Sequence, residues 1–199
     1  MEGGSRDDSD HHHRRGRRGG HRRVLPAAWT PRRRRARGLR SRFGPEYDRV
    51  VARHGGDTEA AERELDERVK RHGAIEERPL TEEARARYAA RWAGAQELFV
   101  ESPERSLAEA DALLADLSRE RGFPDGENFE DRTDAISVHH AAHVDGYRRV
   151  HTARNGDAST EDRREALIEA RKLFDALLAG GASGREHGNR NLVKGRGTS

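Results

Sequence analysis

Apolar residues return every three or four positions through the middle of the chain and are sparse at both ends. That is the period of an α-helix with one buried face. The clearest stretch follows Thr81, where Ala84, Tyr88, Trp92, Ala95 and Phe99 come in steps of four, four, three and four. Upstream, Pro45 suits a first helical position, and a short helix is predicted to His54, with Gly55 and Gly56 supplying a left-handed stop. Asp57 is placed to cap a second helix through about residue 72, in which Ala61, Leu65 and Val69 stand four apart and Gly73 closes the end. After the Thr81 helix, Ser102-Pro103 and the Ser106-x-x-Glu109 box offer two alternative starts for a fourth. Its stripe is Leu107, Ala110, Leu114 and Leu117, and Gly122 and Pro124 stop it.

A turn or two of helix is expected around Phe129, in residues 127 to 134. A fifth helix is predicted from Val138 to Arg154, with Gly146 inside it costing about 1 kcal/mol relative to Ala. The sixth starts at Thr160 with Glu161 and Asp162, carries Leu167, Ala170, Phe174 and Leu177, and ends at Gly180 and Gly181. No alternating strand pattern occurs, and Asn155-Gly156 falls between helices rather than between two apolar runs. The expectation is an all-α fold: a small five- or six-helix bundle over residues 43–180, followed by a disordered tail over 181–199.

Charge divides the chain near residue 42. Between His11 and Arg42 lie thirteen arginines and no Asp or Glu. Residues 1–42 hold fourteen basic and four acidic side chains, a net of +10, which leaves 25 basic and 32 acidic residues, a net of −7, for the rest. The whole-chain value of +3 is therefore a cancellation. Residues 1–42 read as a disordered Arg-rich arm, because Gly, Arg, His and Ser with few periodic apolar positions cannot offset the entropy of ordering.

Such an arm points to a polyanion. Arg32, Arg33, Arg34, Arg35, Arg37, Arg40 and Arg42 are the candidate contacts, with Trp29 as a stacking or interfacial anchor. Nucleic acid fits through counterion release and base stacking. An anionic membrane surface fits through the same charge, at about 1 kcal/mol for each basic residue near it. A solvated tail with no physiological target is the plain alternative, since charge runs carry no sequence readout. Residues 14–42 are the segment that would meet either target, and the acidic helices offer a surface to a protein partner.

Histidines give the body its one dense chemical vocabulary. On a continuous helix His139, His140, His143 and His151 would share a face with Ile136, Tyr147 and Val150. His139 and His143 then have the i, i+4 spacing that lets two imidazoles hold one metal ion. The position where zinc proteases carry their general base is His140, which disfavours hydrolytic zinc chemistry. The competing reading is packing or pH-sensing by these rings, and no cofactor or small-molecule ligand is inferred. Phosphate-cradling loops, a nucleophile elbow and a dinucleotide fingerprint are all missing, so a non-enzymatic binding protein is expected.

The chain contains no cysteine, which removes disulfides and thiol chemistry. Charged residues make up 38% and the mean hydropathy is −1.11, so little material remains for a large core. Val24 to Trp29 is too short for a secretory signal and is broken by Pro26, and no run approaches a spanning helix. A cytoplasmic protein is expected.

Specific words in the sequence add a resemblance. Arg40 to Arg49 reads RSRFGPEYDR, His54 to Asp57 HGGD, Ala60 to Leu65 AAEREL, and Arg121 to Pro124 RGFP. With Tyr88, Trp92, Ser137 to His140 and Tyr147-Arg148, these cover about 140 residues. The combination resembles a family of actinobacterial helical proteins variously described as hypothetical, secreted or membrane proteins. The resemblance brings no activity, ligand or catalytic residue with it. It implies a transmembrane segment ahead of the basic stretch and a helical body on the cytoplasmic side by the positive-inside rule. The first 39 residues of this chain hold no such segment, so attachment at the cytoplasmic face would fall to the arm if the chain starts at Met1, and to an upstream transmembrane segment if the gene model is truncated.

Overall fold

The structure is a computed structural model, and it describes residues 31–125 and 128–180, with side chains described from residue 34. Eight helices are present among the described residues, with no strand. They are α1 (Pro31–Phe43), α2 (Pro45–Arg53), α3 (Thr58–His72), α4 (Glu82–Leu98), α5 (Pro103–Glu120), α6 (Phe129–His139), α7 (Val144–Ala153) and α8 (Thr160–Ala179). The all-α expectation holds; the count exceeds the five or six predicted.

Local chemistry sets most boundaries. Gly44 takes a positive φ of 49° and Pro45 opens α2, while Gly55 and Gly56 close it at φ 62° and 93°. The Asp57 side chain accepts from the amides of Glu59 and Ala60 at 2.9 and 3.0 Å, as its cap position predicts. Thr81 caps α4 through the Ala84 amide. Of the two starts offered for α5, Ser102-Pro103 is the one used. Ser106 is buried and donates its hydroxyl to the Ala95 carbonyl at 2.6 Å, tying α5 to α4 instead of capping it. The cap of α8 is Ser159, one residue before the predicted Thr160, in a reciprocal box with Asp162.

Three expectations are overturned. Residues 31–42 belong to a helix, so the disordered arm does not reach Arg42; residues 1–30 and 181–199, with the rest of the arm and the tail, lie outside the described residues. The turn around Phe129 is a full eleven-residue helix, capped by Asn128 through the Asp131 amide. The single helix over 138–154 is two, α6 and α7, separated by a turn at 140–143 in which His140 takes a non-helical φ of −126° and ψ of 43°.

Two apolar clusters result. The larger gathers α4, α5, α7 and α8 around Trp92, Leu113, Leu114, Tyr147 and Phe174, with Trp92 and Phe174 stacked at 4.7 Å between ring centroids. The smaller is built by α1, α2 and α3 from Leu39, Phe43, Tyr47, Val50, Ala61 and Leu65, closed by Val138 of α6. Among the described residues no helix is long and apolar enough to cross a membrane.

Candidate functional site

The arginine helix α1 has no acidic residue in its first turn and docks by one edge. Leu39 and Phe43, one turn apart, are its buried side chains. That pair explains the ordering: Pro31 presets the first turn, Arg, Ala and Leu favour helix, and two apolar anchors at i, i+4 secure the end. At about 100° per residue Arg37 and Arg34 project from the opposite face, and both are exposed.

The remaining predicted contacts divide. Arg35 forms an ion pair with Asp66 of α3. Arg40 lies over the Tyr47 ring at 4.8 Å and 3.8 Å from Asp48, and Arg42 donates two long bonds of 3.4 Å to the Val138 carbonyl. These three serve the fold. Arg37 has no partner among the described residues. Arg32 and Arg33 fall within the α1 backbone, and Trp29 lies outside the described residues.

A charged network that the sequence reading missed joins the two apolar clusters. Glu46 is 2% exposed, Arg68 is fully buried and Arg148 is 7% exposed. Glu46 accepts from Arg68 Nη1 at 2.8 Å and from Arg148 Nη1 and Nη2 at 2.7 and 2.9 Å. Arg68 also bonds Ser137 Oγ at 3.1 Å and pairs with Glu64 and with Asp134, the latter at 2.9 Å. Four helices therefore meet on charge. Burial acts to raise the Glu64 carboxyl, but His54, Arg68 and Arg53 override it and hold the pKa at about 2. Burial pushes Asp134 up, against the pull of Arg68.

The four histidines occupy separate surroundings. His139 has a ring nitrogen 2.9 Å from the His72 carbonyl and meets Phe123 edge-on. His140 sits 2.9 Å from Glu77. Burial again acts to raise Glu77, and His140 with the buried Arg121 overrides it, bringing the carboxyl to about 2. His143 stands at the N-cap of α7 without making a cap bond. His151 bonds Asp111 at 3.1 Å and stacks on Phe129 at 3.6 Å. The i, i+4 geometry proposed for His139 and His143 needs one continuous helix, and the turn at 140–143 removes it. Among the described residues no three His, Asp or Glu side chains stand together as a metal site.

By propensity alone Gly146 is a weak point in a helix. Its place is the α7–α8 crossing, where an added Cβ would meet the Glu169 carbonyl carbon at 2.4 Å. The signal for the buried network was available in RSRFGPEYDR, whose glutamate sits two residues past a glycine turn and between buried aromatic neighbours. Nothing in the spacing of Arg68 or Arg148 gave their burial away.

No protein-family model, curated protein or solved structure matches the chain.

Proposed function

We propose that this is a non-catalytic, cytoplasmic helical binding protein whose arginine-rich segment contacts nucleic acid while the acidic bundle serves as its folded base. The observation that carries the reading is α1 itself: a helix held by Leu39 and Phe43 that turns Arg37 outward with no carboxylate opposite it. Among the described arginines of this segment, Arg35, Arg40 and Arg42 contact the bundle and Arg37 has no partner. The charge of Arg37 is therefore left for a phosphate. The words shared with the actinobacterial helical proteins fall on residues with structural duties here, among them Phe43, Gly44, Glu46, Arg121 and Gly122. Membership of that family would thus be a statement about the bundle, and the binding role rests on the arginines alone.

The test is fluorescence anisotropy with a DNA duplex between 50 and 200 mM salt. Six to ten neutralised phosphates lower affinity by about 10³ to 10⁵ over that range. Replacing Arg32, Arg33, Arg34 and Arg37 by Gln should weaken binding and flatten the salt slope while leaving Leu39 and Phe43 in place. Affinity unchanged in that variant rejects the reading. Preference for anionic vesicles over DNA would move it to a membrane surface.

A further inference from the structure

Arg49 of α2 lies between two cavities. The smaller, about 320 Å³, is bounded by the start of α2, the 140–143 turn and α8, with Pro45, Arg49, Ala142, His143, Asp145 and Glu169 in its wall. The larger, about 530 Å³, runs along α7 to the first turns of α8 and shares Arg49 and Asp145 with it. Both volumes lie in the range of small-molecule sites, roughly 300–1,000 Å³.

The charged groups around the smaller cavity are not equally satisfied. Glu46 is taken by Arg68 and Arg148. Asp145 accepts from Arg149 at 2.8 Å, and Glu169 accepts from Lys172 at 2.7 and 2.8 Å. Arg49 is left over. Its nearest carboxylate oxygen is Glu46 Oε1 at 3.8 Å, already engaged by the two buried arginines. Its Nη1 is buried and has no acceptor, and 35% of the side chain remains exposed. His143 Nδ1, in the same wall, is a second buried nitrogen without a partner. Burial and the neighbouring charge of Arg148 push the Arg49 pKa down, and the opposing pull of Glu46 does not offset them.

We propose that this cavity binds a small monocarboxylate, whose carboxylate pairs with the Arg49 guanidinium and whose apolar end lies against Ala141, Ala142 and Gly146. A buried guanidinium Nη1 without a hydrogen-bond acceptor calls for one acceptor group. A planar carboxylate fits the guanidinium fork, whereas a phosphate dianion would face Glu46, Asp145 and Glu169 across the same space. His143 supplies the second polar contact. Neither this site nor its ligand class depends on the arginines of α1.

Calorimetric titration of the full chain with benzoate, acetate and inorganic phosphate at constant ionic strength tests the site. Saturable binding of a carboxylate and none of phosphate is expected. Arg49→Gln should weaken carboxylate binding at least about tenfold, the loss of one charge-assisted contact. His143→Ala should weaken it less. Because Arg49→Gln could disturb the fold, Arg49→Lys is measured beside it, with amide NMR shifts at Asp145 and Gly146 on benzoate addition. No saturable carboxylate binding, affinity equal in the Arg49→Gln protein, or phosphate bound more tightly than benzoate would overturn the proposal.

Discussion

Glu46 and Arg148, 102 positions apart in the chain, meet in a two-point ion pair, with both guanidinium Nη atoms on the two carboxylate oxygens at 2.7 and 2.9 Å. Removing the carboxylate strands the buried Arg148 and takes from the buried Arg68 one of its three carboxylate partners. Glu46→Ala should lower stability by about 3–5 kcal/mol, read by urea unfolding. Replacing Glu46, Arg68 and Arg148 together with Leu, Met and Met should cost less than the single change, because no buried arginine is then left without its carboxylate. A loss below about 1 kcal/mol in Glu46→Ala would show that water reaches these groups.

Acid should weaken the fold through Glu64 and Glu77. Each carboxyl is held at about 2 against an ordinary value of 4.5. A depressed folded pKa contributes stability that is present above the unfolded value and lost as pH falls toward the folded one. The decline should therefore run from about pH 4.5 down to about 2. Asp134, pushed up by burial, works in the opposite direction and offsets part of it. In Glu77→Gln the pH dependence of thermal unfolding should be shallower; an unchanged profile counts against the His140–Glu77–Arg121 group as its source.

Helix propensity and packing make opposite forecasts for Gly146→Ala. Propensity alone gives a gain of about 1 kcal/mol. Crowding against the Glu169 carbonyl gives a loss, about 1–3 kcal/mol if α7 and α8 must separate. Packing decides, since 2.4 Å to backbone leaves nothing flexible to yield. A raised melting temperature would reverse that judgement.

Phe43→Ala should release α1. The side chain is fully buried in the smaller cluster, and truncating a buried Phe costs about 3–5 kcal/mol. Hydrogen exchange should show residues 34–43 losing protection before α4 and α5 do. Protection that survives in those residues would mean that ion pairs such as Arg35–Asp66 hold the helix without its apolar anchor.

The bundle helices were legible where apolar spacing and caps agreed. Ala84, Tyr88, Trp92 and Ala95 all turned inward, and Asp57, Thr81 and the paired glycines at 55 and 56 marked real ends. The arginine helix was hidden because Leu39 and Phe43 are the only buried apolar side chains described in it, too few to register against so much charge. The break at 140–143 was hidden for another reason: His139 to Val144 contains neither Gly nor Pro, and contacts from Glu77, Phe123 and the His72 carbonyl decide the local conformation. Arg49 could not be singled out at all. Its place is set by residues as far away as Lys172, 123 positions on, that pair with the carboxylates of the smaller cavity.

Because the acid at position 46 stands on a helix of the smaller apolar cluster and its partner at 148 on one of the larger, neither half can come apart without baring a buried ion to a nonpolar wall. That penalty links the fates of the two halves, and heating should melt them in one cooperative transition despite their separate greasy centres.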